Sequence, residues 1–259
     1  MNGKLERIAV LVSAGRHPVS GAPRYSRNDA AALETGRQLA QRHGAKLDTL
    51  HAGDASNPAL EEYLALGADR VEVLICGEHD DAVAALAHRL QDYDLVLTGT
   101  RAEGAFDTGM LPYRIADALG YPLVGSAVDA TVASGAITVR QFLPKGLRRR
   151  VEAQLPAVVA VHPLATVTPR YAYARQRAGA VARTQPDMKV DAEAQAWTLS
   201  ANARKPVKLA AAEKRSGHAR MLSAVTTESR GGSVVIEGSS VEKAQAILGY
   251  LREHQLIDY

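Results

Sequence analysis

The longest stretch suited to gripping an anion is Gly99-Thr100-Arg101-Ala102-Glu103-Gly104-Ala105-Phe106-Asp107-Thr108-Gly109. Its glycines permit close backbone approach, and a helical pattern begins directly after it, so unpaired amides at that helix start can meet a phosphate. An ordinary strand-to-helix loop has the same spacing. Ser13-Ala14-Gly15 invites comparison with the serine and glycine loops of enzymes that cleave ATP to pyrophosphate, but the glycine pair and the following aspartate and serine are missing. No Gly-x-Gly-x-x-Gly and no Gly-x-Ser-x-Gly elbow occurs. The histidines show no paired spacing with a supporting carboxylate, so no metal site is expected. Arg148-Arg149-Arg150 reads as an exposed hairpin surface or as an anion site.

Composition narrows the chemistry. Cys76 is the lone cysteine, so this chain builds no internal disulfide, multi-cysteine zinc site or cysteine-held iron–sulfur cluster, and any redox group must be borrowed. A formal net charge of +3 is too small to imply nucleic acid. The excess is partly local. Residues 153–186 hold no Asp or Glu but carry Arg170, Arg175, Arg177 and Arg183, a pattern that suits an acidic partner surface or a solvated basic loop. No apolar run reaches the roughly 18 residues of a membrane span. Met1 to Arg7 lack the long apolar core of a secretory signal, and a cytoplasmic protein is expected.

Positioning these loops requires strands and helices in alternation. Ile8–Val12, residues 46–50, 70–75 and 95–98 are short apolar runs, separated by helical patterns over 29–43, 58–67, 80–90 and 110–119. Gly44 and Gly120 stand where C-terminal caps belong, and Asn57-Pro58 signals a helix start. The pattern predicts an α/β fold, a mostly parallel open sheet with helices on both faces. Three strand ends, at Ser13, His51 and Gly99, then open on one edge. Close-spaced strands over 124–132, 137–142, 150–154 and 157–161, punctuated by Ser134-Gly135 and Lys145-Gly146, add antiparallel edge strands. Residues 172–230 are too polar to form an independent core and read as an arm or linker. Ser233–Ile236 reads as a strand, and Ser239 with Glu242 as a capping box before a terminal helix.

Several segments then line up in one order: Asp29-Ala30-Ala31-Ala32-Leu33-Glu34, Ala65-Leu66-Gly67-Ala68-Asp69-Arg70, Leu97-Thr98-Gly99 through Asp107-Thr108-Gly109, Leu155-Pro156-Ala157-Val158-Val159, and Pro169-Arg170-Tyr171-Ala172. Gly231-Gly232, Glu237-Gly238 and Glu242-Lys243-Ala244 follow near the end. The series resembles the β subunit of electron-transfer flavoproteins. That resemblance implies an adenine-nucleotide-hydrolase-like fold, a larger α subunit that holds most of the FAD, and AMP as a structural ligand of this chain. It implies an electron carrier, not an enzyme, that takes electrons from a flavin dehydrogenase donor toward a membrane quinone reductase acceptor. By position, Leu11 and Ser13 would line the adenine or ribose end, Ala52 would sit at the second strand end, and Gly99, Asp107, Thr108 and Gly109 would surround the phosphate.

The resemblance also implies three regions: a nucleotide-binding domain over 1–171, a docking loop and extended linker over 172–232, and a strand-helix arm over 233–259 that contacts the partner. Departures are specific. Ser26-Arg27 replaces an Asn-Pro, Asp107 replaces a glutamine in a shortened phosphate loop, and Tyr173-Ala174-Arg175-Gln176-Arg177-Ala178-Gly179 replaces an apolar docking segment. The last points to an acidic dehydrogenase surface. Alternatives are a second FAD in place of AMP for electron bifurcation, an ATP-pyrophosphatase-like adenylating enzyme, and a nucleotide-free scaffold.

Overall fold

The structure, a computed structural model, describes residues 4–77, 79–103, 108–198, 200, 216–218, 221, 236–253 and 256–257. Strand β1 (Arg7–Leu11) leads into a hairpin of β2 (Ala14–Arg16) and β3 (Pro23–Tyr25), then helix α1 (Arg27–His43) and β4 (Lys46–Gly53). Next come α2 (Ala59–Ala65), β5 (Arg70–Ile75), α3 (Ala82–Leu90), β6 (Leu95–Gly99) and α4 (Leu111–Leu119). A run of strands follows: β7 (Leu123–Ala133), β8 (Ala136–Phe142), β9 (Arg148–Gln154) and β10 (Ala157–Val161). Helix α5 (Tyr173–Ala178), strand β11 (Ala180–Thr184) and the short α6 (Ala192–Ala196) complete the first compact unit, which ends at Trp197. The second unit, Thr198–Tyr259, contains helix α7 (Ser240–Glu253).

Nine strands form one sheet in the order β11-β5-β4-β1-β6-β10-β7-β8-β9. Pairing is parallel from β11 through β7, and β8 and β9 then extend the edge antiparallel. The fold class predicted from the sequence is therefore the one observed. Strand period explains the two-sided burial, because successive side chains point to opposite faces. Ile8, Val10 and Val12 join one core with Leu33, Leu39, Tyr63 and Val159, while Ala9 and Leu11 join the other with Leu86, Leu90 and Ile115. A parallel sheet covered on both faces needs such continuous apolar runs.

Helix α1 ends as its sequence dictates: Gly44 adopts the left-handed conformation at φ 64, and its N–H donates to the Ala40 carbonyl. Within α1, Gly36 has a packing role, since a Cβ there would lie 2.8 Å from Val10 Cγ2 and 3.1 Å from both Leu47 and Leu97. Asn57 Oδ1 accepts the Ala59 N–H at 3.1 Å ahead of α2. Ser239 and Glu242 make the reciprocal capping box at the start of α7, with Glu242 accepting the Ser239 N–H at 2.7 Å.

The structure departs from the sequence-based expectation in three stretches. Residues 157–161, expected among the antiparallel edge strands, form β10, which lies inside the sheet and runs parallel to both β6 and β7, because the chain returns to the sheet interior after the β8–β9 hairpin. Ser13-Ala14-Gly15 was expected as a tight loop; Ala14–Arg16 instead pairs antiparallel with Pro23–Tyr25. Such a three-residue strand carries too little periodicity to register in a sequence. Residues 173–184, inside the stretch read as arm or linker, form α5 and the edge strand β11, which pairs in parallel with β5. An edge strand needs a neighbour's backbone rather than an apolar core of its own. The strand expected at Ser233–Ile236 falls largely outside the described residues.

Candidate functional site

Strands β1 and β6 are neighbours, yet the chain runs from β1 to β4 on one side and later crosses to β6 on the other. That reversal is a topological switch point, where the loops leaving the strand ends diverge and open a crevice. The crevice is a cleft of about 230 Å³ including its mouth. Leu11, Val12 and Ser13 come from the end of β1, Asp29 from α1, and Thr98 and Gly99 from β6. Arg101 and Ala102 from the next loop, with Leu111 and Pro112 of α4, close the other wall.

Asp29 ties the two strand ends together. Its Oδ2 accepts the Ser13 N–H at 2.8 Å and the Ser13 hydroxyl at 2.5 Å, and its Oδ1 accepts the Gly99 N–H at 3.2 Å. The placement follows from the start of α1, where the Ser26 hydroxyl caps the helix by accepting the Asp29 N–H. Tyr63 of α2 completes the knot. Its hydroxyl donates to the Ser13 carbonyl at 2.7 Å and accepts the Ser26 N–H at 2.9 Å. Ser26, Asp29 and Tyr63 are 0%, 3% and 0% exposed, so water cannot replace any of these partners.

Burial dominates the ionisation here. It raises Asp29 from 3.8 to about 7, against the bonds from Ser13 and Gly99 that favour the carboxylate. Burial, with the Asp29 charge second, also holds the Tyr63 hydroxyl well above the usual phenol range. His51 of β4 is buried next to this knot; its Nδ1–H donates to the Val12 carbonyl at 2.8 Å, and burial lowers its pKa so that it is a neutral brace. A Cβ on Gly99 would collide with the Asp29 carboxylate and the Asn28 main chain, so glycine is what lets β6 approach α1. On the rim, Arg24 of β3 meets Glu103 at 3.2 Å and ties the hairpin to the loop after β6.

The buried Asp29 carboxyl is engaged by both strand ends, and among the described residues no group of three or more His, Cys, Asp or Glu could hold a metal ion. Residues 23–194 match the electron transfer flavoprotein domain family. The chain is also 35% identical over 257 residues to the electron transfer flavoprotein subunit beta of Chromohalobacter salexigens, covering 96% of this chain and 95% of that protein. This chain belongs to the electron transfer flavoprotein family.

Of the residues that the flavoprotein resemblance nominated, Leu11, Ser13 and Gly99 meet in the cleft. Ala52 lies in β4, half-buried against the core that contains Leu11 and Leu74, and is not among the lining residues. Thr108 and Gly109 lie in the loop ahead of α4, also outside the lining; the Thr108 hydroxyl accepts the Met110 N–H at 3.3 Å and Gly109 has φ 69. Asp107 lies outside the described residues. Sequence reasoning did not single out Asp29 or Arg101 as site residues. An acid in the first turn of a helix is ordinary for its favourable interaction with the helix dipole, so nothing in the spacing marked Asp29 as buried under a strand 70 positions away.

Proposed function

We propose that this chain is the β half of a heterodimeric electron-transfer flavoprotein. It carries electrons from a flavin dehydrogenase toward a membrane quinone reductase, through FAD held mainly by an α subunit, with AMP as a structural ligand in the β1–β6 cleft. The observation that carries the proposal is the family match over a cleft that the fold places at its switch point. FAD, held mainly by the α subunit, would supply one-electron redox chemistry. This chain's residues supply a binding wall. Leu11, Leu111 and Pro112 offer an apolar surface for a flat base, and Arg101 offers a cation for a phosphate.

Among the described residues the cleft lining includes no aromatic ring on which a second isoalloxazine could stack, which favours AMP. Residues 1–171 then serve as the nucleotide domain, 172–232 as docking loop and linker, and 233–259 as the clasp on the α subunit. Support for the clasp comes from α7, whose Val241, Ile247 and Tyr250 are exposed. No described helix is long and apolar enough to cross a membrane, and we place the assembled pair in the cytoplasm.

Co-expression with the candidate α subunit tests the assignment. A yellow heterodimer that releases AMP on denaturation, identified by mass spectrometry, is the expected result. Two colourless proteins that elute separately would defeat the heterodimer, and a stable pair without adenylate would defeat the AMP assignment alone.

A further inference from the structure

Among the described residues β9 pairs with β8 on one side and with no strand on the other. The register aligns Asp129, Arg140 and Arg150 in one row across β7, β8 and β9. Residues directly opposite one another share a face with Cβ atoms roughly 5 Å apart. Asp129 answers Arg140 at 3.3 Å. Arg150 is next in the row and faces a like charge, which is destabilising at that distance. Among the described residues no carboxylate stands within ion-pair distance of Arg150.

Its neighbours hold the edge in shape without neutralising it. The Arg148 guanidinium lies 4.5 Å over the Phe142 ring, and Phe142 stacks on His162 with centroids 4.3 Å apart. Arg149 Nε donates to Gln141 Oε1 at 2.9 Å. All three arginines are exposed, and Glu152 is the one acid in the strand.

Backbone direction adds a second observation. Hydrogen-bonded and non-hydrogen-bonded pairs alternate along an antiparallel ladder. The Leu143 N–H donates to the Leu147 carbonyl, and the Leu155 N–H to the Gly135 carbonyl, so the odd-numbered residues of β9 turn their main chain toward β8. Arg148, Arg150 and Glu152 therefore aim their N–H and C=O groups at the open edge. An edge of this kind is a template for strand addition.

We propose that β9 accepts an acidic, extended segment of a partner protein as an added strand, with a carboxylate set against Arg150. The row across the sheet then alternates in sign at both ends. A second copy of this chain fits less well. Two antiparallel β9 edges can set Arg150 against the partner's Glu152, but they bring Arg148, Arg149 and Arg150 of both copies to one seam, three cations to one acid on each side. The proposal concerns an edge separate from the nucleotide cleft and does not depend on what fills that cleft.

The test uses the full chain, together with the subunit it assembles with, and a capped peptide of about eight residues that alternates glutamate with threonine and valine. A lysine-for-glutamate twin is the control. The glutamate peptide is expected to bind, to slow amide exchange at Arg148, Arg150 and Glu152, and to weaken as salt rises from about 0.05 M to 0.5 M. Arg150→Glu should weaken binding by about tenfold or more, and Arg150→Gln by less, with melting temperatures not lowered, because either replacement relieves the like charge opposite Arg140. Equal affinity for the lysine twin, protection elsewhere, or no effect of Arg150→Glu would overturn the proposal. So would self-association through β9, or preferential binding to phosphatidylserine vesicles.

Discussion

Replacing Asp29 by asparagine probes the knot at the strand ends with a signature that other substitutions lack. In the folded chain the Asp29 carboxyl keeps its proton to about pH 7, whereas the unfolded chain gives it up near 3.8. Between those values the folded state binds more protons than the unfolded state, so stability falls as pH rises. The contribution is intact below the unfolded value and reaches its full loss above about 7. Integrated from pH 5 to pH 8, the loss is about 2–3 kcal/mol. In melting temperature that is about 5–10 °C for a chain of this size. The asparagine variant ionises in neither state and lacks the slope. It carries a constant deficit of about 1–3 kcal/mol instead, because its amide NH2 accepts nothing and must face either the Ser13 or the Gly99 N–H, whichever way the side chain is turned. Urea and thermal unfolding of both proteins at pH 5, 6, 7 and 8 gives the difference between them. That difference should shrink or reverse toward pH 8. Parallel profiles with a constant gap would refute the buried, proton-holding carboxyl.

Tyr63→Phe should destabilise the first unit by about 2–4 kcal/mol, because it strands the buried Ser26 N–H and removes a donor from the Ser13 carbonyl; chemical denaturation measures it, and a loss below about 0.5 kcal/mol would mean that water reaches the knot. Gly36→Ala should cost about 1–3 kcal/mol despite alanine's better helix propensity, since the added methyl enters contacts at 2.8–3.1 Å against Val10, Leu47 and Leu97. A gain in melting temperature would show that α1 can lift away. Truncation after residue 232 should weaken the proposed heterodimer measurably in sedimentation or titration calorimetry while leaving the far-ultraviolet spectrum of the sheet in place; unchanged affinity would remove the proposed clasp role from α7.

Much of the architecture was legible because it rests on local rules. Apolar runs the length of a strand, separated by 3.6-period stretches, point to a parallel sheet with two covered faces, and Gly44 and Gly120 end their helices in the left-handed conformation at φ 64 and φ 67. The capping box of Ser239 and Glu242 is likewise a contact between near neighbours in the chain. In the same way Ser13 and Gly99 could be placed at strand ends, and those ends on one edge.

What the linear order does not contain is which strand lies beside which. Only the folded sheet sets β6 next to β1, and that adjacency turns Asp29 from an ordinary first-turn acid into a buried clamp between Ser13 and Gly99. Only the register sets Arg150 beside Arg140. Local propensity acts over a few residues, whereas desolvation and cross-strand charge depend on neighbours brought together from far along the chain, and these long-range contacts decide the ionisation and the recognition chemistry.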